Sequence, residues 1–397
     1  MTITRPVVEE PKQPLRGDPS FSRSALGSGE RAWYDSLWSQ INDADNYRNV
    51  MSSARSGNLM HYSRPLYTYV SSVLVVFRLT GDLALLDHLD VIAELMRSRL
   101  ADEWYGTLDG TDGTKDGYLN WTYQSGDSKT HRGKDTRELD EIGAHANVAA
   151  IAYALEANRD LVSPSGRDYG AHADFWKDYL VNHFEAKWRE RNEKASGFPF
   201  MTRPFTATYH KWTRWHYYMG RLTGDRAYTT EAVRMADVLW AHNYPIETPS
   251  GTAYVWAHGI AALGGADADT LGASTYGRYF YGDIVDFHLE GFHGWASEEN
   301  MRRFARTFTE FIIDTDDPLA NGMSTDIGGG QPRLHLKPAP NRTRLTGPQF
   351  SESNYGLIGA WDTSGEINRI TAGFQKSYAS SRDTTRLDVG LFLDSLF

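Results

Sequence analysis

The sequence predicts an all-α protein, an α/α toroid formed as a complete or incomplete barrel of six to seven helical hairpins. Three observations predict it: a repeated Arg-Leu-Thr-Gly-Asp turn, further amphipathic runs with helical period, and weak β-strand signals outside short stretches. Hairpins separated by long Gly-, Asp- and Tyr-rich loops must pack against one another to bury both faces. The aromatic loops favour a ring with a central cleft.

The repeated turn occurs in "FRLTGD", which ends at Asp82, and in "GRLTGD", which ends at Asp225. Gly81 and Gly224 suit the left-handed residue that ends a helix, and each Asp suits the cap that begins the next one. Apolar residues precede the first turn at helical spacing: Leu66, Val70, Val73 and Phe77. The two copies therefore predict two matched helical hairpins.

Three more runs open with acidic or Ser residues and continue with helical period, at residues 141–160, 173–190 and 297–314. We expect residues 1–28 to form an extended N-terminal arm. Residues 29–397 are expected to form a single catalytic domain, because the helical pattern continues through most of them.

Composition excludes several classes of function. The 397 residues contain no cysteine, so disulfides, thiolate zinc sites and cysteine nucleophiles are ruled out. The formal net charge of -10 argues against general nucleic-acid binding, which needs a basic surface. The sequence predicts no membrane helix and no secretory signal, so we expect the protein to be cytoplasmic as given, or secreted or periplasmic if a signal was removed. We also expect a monomer.

An aromatic and cationic run, "RPFTATYHKWTRWHYY", occupies residues 203–218. Such a composition predicts a surface that binds a polar ligand, although packing is the alternative. Tyrosine titrates near roughly 10, and nearby cations favour the phenolate, so Tyr209 is a candidate to accept and return a proton. The remaining candidates for ligand contacts in this run are Arg203, His210, Lys211, Arg214 and His216.

A second candidate group interrupts the alanine-rich run at residues 137–155. Glu141 and His145 are one helical turn apart, and Asn147 follows two residues later. Polar groups among alanines are costly to bury unpaired, so we expect them to meet each other, solvent or a ligand.

Three further segments carry candidate ligand contacts. Aromatic faces stack on sugar rings, while Asn and Arg side chains bond hydroxyls and carboxylates. The candidates for sugar binding are Asn58, His61, Tyr62, Arg64, Asn120 and Trp121, with Tyr118 and Tyr123 nearby, and Tyr276, Arg278 and Tyr279 as cleft-lining residues. A divalent-metal site is a weaker hypothesis, and a hydrogen-bonded loop is the default, for Asp283, Asp286, His288, Glu290 and His293.

These features resemble the toroidal alginate and glucuronan lyases, most closely polysaccharide lyase family 38. The resemblance rests on the "LTGD" turns, the His and Asn pair on an alanine-rich helix, and the Arg-x5-Tyr spacing of Arg203 and Tyr209. It implies an α/α barrel that cleaves a 1,4-linked polyuronate by β-elimination, without metal or other cofactor.

The resemblance also implies roles for individual residues. Tyr209 would take the C5 proton and protonate the leaving O4, and Arg203 would steady the phenolate or the substrate carboxylate. His145, Asn147 and Glu141 would neutralise that carboxylate, which must be offset before the proton alpha to it becomes acidic. The expected partner is therefore an acidic polysaccharide.

Two alternatives remain open from the sequence. The first is a glycoside hydrolase on the same kind of toroid, which would use two carboxylates drawn from Asp112, Asp116, Asp135 and Glu138. The second is a carbohydrate-binding protein without catalytic activity, in which Tyr209 is only a platform.

Overall fold

A computed structural model of the protein describes residues 14–105, 114–123, 138–194, 204–339, 344–345, 355–378 and 389. In the first half of the chain the helices are α1 (Ser28–Asn42), α2 (Ala44–Ala54), α3 (Leu59–Ser63), α4 (Pro65–Thr80), α5 (Leu83–Arg97), α6 (Glu138–Ala157), α7 (Tyr169–Tyr179) and α8 (Ala186–Lys194). In the second half they are α9 (Thr206–Thr223), α10 (Arg226–Ala241), α11 (Ser274–Leu289), α12 (Glu298–Thr307), α13 (Pro318–Asn321) and α14 (Glu366–Tyr378). The expectation of a mostly helical protein is confirmed.

Two small antiparallel sheets of two strands accompany the helices. Strands β1 (Ala101–Tyr105) and β2 (Thr114–Asn120) form one sheet, and β3 (Asn243–Thr248) and β4 (Gly251–Trp256) form the other. Single π-helical turns follow α7 and α12, at Leu180–Glu185 and Phe308–Ile312. The run at 173–190 is therefore helical as expected, but with a π turn between α7 and α8.

Both predicted hairpins are present, as α4 with α5 and as α9 with α10. Gly81 ends α4 with φ of 69°, and Gly224 ends α9 with φ of 72°. Asp82 accepts a hydrogen bond from the Ala84 amide at 2.9 Å, and Asp225 caps α10 in the same way. The repeated sequence therefore produces the same helix stop and helix start twice.

The described part of the N-terminal arm is fastened to the C-terminal ends of α4 and α6. Leu15 is fully buried, and Asn158 donates a hydrogen bond to its carbonyl at 2.8 Å. The Gly17 amide donates to the Asn158 side chain at 2.6 Å. The Asp18 amide donates to the Gly81 carbonyl at 2.8 Å.

The two turn glycines make a matched test of this docking. Replacing Gly224 with alanine should cost roughly 1–2 kcal/mol of unfolding free energy, because only the left-handed backbone is penalised and the space is open. Gly81→Ala should cost more, because its Cβ would lie 2.7 Å from the Asp18 amide nitrogen. Urea denaturation measures both, and equal losses would contradict docking of the arm on this turn.

Four helices contact one another in a closed cycle: α4 contacts α6, α6 contacts α9, α9 contacts α11, and α11 contacts α4. Other helices pack behind them, with α5 against α4, α7 against α6, and α10 against α9. The four helices also point the same way, because side chains from their first two turns meet at one end. We call them the inner helices.

The structure corrects one expectation about secondary structure. The segment that contains Asp283 and Asp286 was expected to be a loop, but both residues lie within α11. In the part of the chain that the structure describes, no helix combines the length and the apolar character needed to cross a membrane.

Candidate active site

Helix α9 is buried on all sides, which corrects the prediction of a binding surface for the part of the run that it contains, residues 206–218. Every residue from Thr206 to Gly220 is buried, because α6, α10 and α11 surround the helix. A central helix with so many polar and aromatic side chains can be buried only if these groups find partners in the protein. Their partners divide α9 into three faces with different chemistry.

The first face of α9 points between the inner helices and carries charge. Arg214 donates to Asp286 at 2.9 Å, and His210 hydrogen-bonds Asp283, both of these carboxylates being on α11. Arg78 of α4 donates to Asp286 at 3.1 Å and also pairs with Glu290. We call these six side chains, with the tyrosines that bond them, the buried charge network.

Three tyrosines complete the buried charge network. Tyr67 donates to Asp283 at 2.5 Å, Tyr218 donates to Asp286 at 2.7 Å, and Tyr217 donates to Glu290. Burial, together with the neighbouring carboxylates, raises the pKa of all three phenols well above the ordinary value. They therefore act as hydrogen-bond donors and not as bases.

The electrostatics of the network favour the charged form of Asp286. Burial alone would raise the pKa of Asp286, but Arg214 and Arg78 hold it below its ordinary value. Burial lowers the pKa of His210, although Asp283 opposes the shift. The carboxylates suggested as metal ligands are thus held by guanidinium, imidazole and phenol groups.

The other suggested metal ligands lie apart from these carboxylates. His288 faces Glu298 at 3.2 Å, and His293 faces Asp237 at 2.9 Å. Within the described residues, a different group of possible ligand atoms lies within 4.8 Å of one another, and it comprises Asp90, Glu94 and His172. Arg167 already pairs with Asp90 there, so a cation would have to displace a guanidinium.

The second face of α9 meets the N-terminal ends of the inner helices, where cations and phenols lie side by side. The Lys211 ammonium lies 4.9 Å from the ring centroid of Tyr67 and 5.0 Å from that of Tyr279. The two rings are 5.9 Å apart and almost perpendicular. With Arg64, these residues form what we call the cation–tyrosine cluster.

Arg64 joins the cluster from the residue before α4. Its side chain lies 3.3 Å from Asp140 of α6 and keeps 37% of its surface exposed. Burial lowers the pKa of Arg64, but Asp140, Tyr279 and Tyr123 more than offset this and raise it above the ordinary value. Arg64 is therefore a permanent positive charge at the solvent side of the cluster, close enough to Tyr279 to interact with it electrostatically.

A narrow cleft of about 10 Å³, which is room for about one water molecule, lies between the first turns of α9 and α11. Its lining includes Ala207, Trp256, His258, Tyr276 and Phe280. Ala207 precedes Lys211 by one helical turn, and Tyr276 precedes Tyr279 by one turn. The cleft and the cluster therefore occupy the same end of the inner helices.

The third face of α9 carries Tyr209 and points towards α10. The Tyr209 hydroxyl is buried and has no hydrogen-bond partner among the described residues. Burial raises its pKa, and the nearby Arg234 opposes this shift without reversing it. Neighbouring cations were expected to favour the phenolate of Tyr209, but Lys211 and Arg214 lie on other faces of the helix, and Arg203 lies outside the described residues.

The polar residues of α6 point away from one another. His145 hydrogen-bonds the Tyr179 hydroxyl at 2.9 Å and stacks on Phe184 with ring centroids 3.8 Å apart. Asn147 donates to the Tyr67 carbonyl at 3.1 Å and accepts from Arg214 at 2.5 Å. The structure does not bring His145 and Asn147 to a common site.

Glu141 also has partners within the protein. It pairs with Lys187, and it accepts a hydrogen bond from the Trp188 indole at 3.0 Å. Its proposed role in neutralising a substrate carboxylate stays a prediction, as do those of His145 and Asn147. All three are fully or almost fully buried.

The sugar-binding candidates are divided by the structure. Asn58 caps α3 by accepting from the Met60 amide at 3.0 Å, and Tyr62 donates to the Ala54 carbonyl at 2.8 Å. Trp121 donates to the Met96 carbonyl at 2.9 Å, beside the buried Asn120. His61 is exposed, and the burial that its ring does have lowers its pKa.

The remaining candidate ligand contacts lie in or near α9 and α11. His216 is buried, and its ring hydrogen-bonds the Trp212 carbonyl at 2.8 Å. Tyr276 lines the cleft, with its ring centroid 5.9 Å from that of His258. Arg203 lies outside the described residues, and for Arg278 the structure describes the backbone within α11 only.

Sequence reasoning missed two residues that belong to this end of the inner helices. Tyr67 lies off the apolar stripe of α4, and neither Tyr67 nor Asp140 was among the candidate site residues. The sequence "SRPLYTY" held a usable signal, because Pro65 is typical of the first position of a helix. That assignment would have placed Arg64 and Tyr67 at a helix N-terminus.

Comparison with known proteins adds no assignment to this geometry. No protein-family model matches the chain, and no curated protein or solved structure gives a significant match.

Proposed function

We propose that the protein is a polysaccharide lyase that cleaves a 1,4-linked polyuronate, such as glucuronan or alginate, by β-elimination. The cation–tyrosine cluster carries the proposal, because it sets Lys211 against two phenol rings, with Arg64 alongside, at the same end of the inner helices as a narrow cleft. The closed cycle of inner helices supports the accompanying proposal of an α/α toroid.

The proposed reaction needs a base and a positive charge close together. The proton on C5 is alpha to the carboxylate and becomes acidic only when that carboxylate is offset by cations or donors. Lys211 and Arg64 would supply this charge. A phenolate then takes the C5 proton, the electron pair forms the C4–C5 double bond, and the C4–O4 bond breaks. The departing O4 takes up a proton.

Tyr279 is the base that the geometry favours. It lies beside both cations of the cluster, whereas the Tyr209 hydroxyl is buried against α10. The same cations would offset the substrate carboxylate as the proton leaves C5. The two tyrosines lie on different helices, so substitution can test them separately.

An absorbance assay tests the function. Elimination creates a double bond conjugated with a carboxylate, which absorbs ultraviolet light. We expect absorbance to rise on at least one of alginate, polymannuronate, polyguluronate and glucuronan, and to stay flat on a neutral glucan. New reducing ends without absorbance would indicate a hydrolase, and binding without products a carbohydrate-binding protein.

A second expected result concerns metals. Activity should survive EDTA, because the proposed site offsets the carboxylate with Lys211 and Arg64 rather than with a divalent ion. The measurement is the same absorbance assay before and after dialysis against the chelator. Loss of activity that calcium or manganese restores would contradict the proposed site.

A further inference from the structure

Gly143 is a glycine in the second turn of α6, a buried helix in which seven of the twenty residues are alanine. Glycine is a poorer helix former than alanine, so its presence in such a helix needs a local reason. A Cβ built on Gly143 would lie 2.9 Å from the Lys211 ammonium nitrogen and 3.0 Å from Cβ of Ser63. The missing side chain leaves the space beside that ammonium.

The other sides of the ammonium are also fixed. The Tyr67 ring lies 4.9 Å away, and Asp283 accepts the hydrogen bond of its hydroxyl at 2.5 Å. Asp283 is itself held by His210 and lies 3.7 Å from the Arg214 guanidinium. The ring therefore cannot turn aside without breaking the buried charge network.

The Lys211 side chain therefore has little room to adjust. Its residue is only 2% exposed, and Tyr279 closes the remaining aromatic side at 5.0 Å. A methyl group on residue 143 would have to push the ammonium away or move Ser63. Displacements near 1 Å at a reacting group can cost about 100-fold in rate.

We infer that Gly143 is a positioning residue for Lys211: its bare backbone lets the ammonium sit between Tyr67 and Tyr279, where it meets a carboxylate of the substrate. The inference rests on the proposed function, in which Lys211 offsets the uronate carboxylate. Gly143→Ala should lower kcat/KM by roughly 10-fold to 100-fold, and KM should rise, because a carboxylate is contacted in both ground and transition states.

The matched control is Gly220→Ala. Gly220 is also buried in an inner helix, and its Cβ would lie 2.4 Å from the Thr229 hydroxyl, away from the cluster. This variant should lose stability and keep the kinetic constants of the folded protein. Equal kinetic constants in Gly143→Ala and Gly220→Ala would overturn the inference.

A double-mutant cycle guards against a general folding defect. In the Lys211→Met background, adding Gly143→Ala should change kcat/KM by less than about twofold, because the group that it displaces is gone. Calorimetric binding of an unsaturated uronate trisaccharide, measured for all variants, gives a readout besides turnover. A full Gly143→Ala effect in the Lys211→Met background would overturn the inference.

The binding measurement separates this inference from the proposed function. If the wild-type protein binds the trisaccharide without cleaving polymers, the lyase proposal fails, and a weaker Kd in Gly143→Ala still supports the positioning role. If the wild-type protein cleaves and binds while Gly143→Ala matches it, only the inference fails. Absence of both binding and cleavage by the wild-type protein would overturn both.

Discussion

Tyr279→Phe should lower turnover by roughly 100-fold to 10,000-fold while leaving substrate binding nearly intact. The substitution deletes one hydroxyl and keeps the ring that lies 5.0 Å from the Lys211 ammonium, so the cation–π contact remains. A residue that both removes and returns a proton should show an effect near the upper end of that range. Initial rates by absorbance and Kd by calorimetry measure the two quantities.

Tyr209→Phe is the matched control, because the family resemblance gave that residue the same role. We expect it to keep more than about a tenth of the wild-type rate, since its hydroxyl is buried towards α10. The reverse outcome, with Tyr209→Phe inactive and Tyr279→Phe active, would contradict the placement of the site at the cation–tyrosine cluster.

Arg78→Met should destabilise the protein by roughly 3–5 kcal/mol, because it removes a buried cation that two buried carboxylates share. Arg78 is fully buried and serves Asp286, Glu290 and the Tyr218 hydroxyl at once. Arg221→Met is the control, since Arg221 is half-buried and has a much smaller role. Its guanidinium donates a hydrogen bond to the Tyr153 hydroxyl at 3.1 Å. That control should cost about 1 kcal/mol or less.

The loss in Arg78→Met should also depend on pH. The lowered pKa of Asp286 in the folded protein means that its charge contributes stability above its unfolded pKa, and that this contribution is lost as pH falls through the folded pKa. Without Arg78 this contribution shrinks. The difference in unfolding free energy should therefore be largest near neutral pH and smaller below about 4. A difference independent of pH would contradict the charge assignment.

Local signals in the sequence predicted the helical hairpins well. The Gly81 and Gly224 stops and the Asp82 and Asp225 caps act within a few residues, so propensity and periodicity were enough. The same approach failed for α9, because aromatic and charged residues suggested exposure. Which groups pair across helices is a property of packing, and no single segment of sequence contains it.

The candidate site shows the same limit. Lys211, Arg64 and Tyr279 were identified from composition alone, and the structure places them at one end of the inner helices. His145 and Tyr209 were favoured by their spacing, yet His145 faces α7 and Tyr209 faces α10, away from the cluster. Helical period tells which residues share a face, but the neighbouring helix decides whether that face meets a cleft or a core.

The hydrolase alternative gains no support from the described residues. Glu138 is buried and accepts from the Trp212 indole at 2.9 Å, and Asp116 pairs with Arg191 at 2.7 Å. Asp112 and Asp135 lie outside the described residues. The cation–tyrosine cluster supports elimination more directly, because it carries positive charge and phenols where hydrolysis would need two carboxylates.

Mass spectrometry of the products tests the central claim most directly. A uronate oligosaccharide of defined length should give two fragments whose masses sum to that of the substrate, because elimination consumes no water. The fragment from the new non-reducing end should carry the double bond. Fragments that sum to the substrate plus one water would contradict the account.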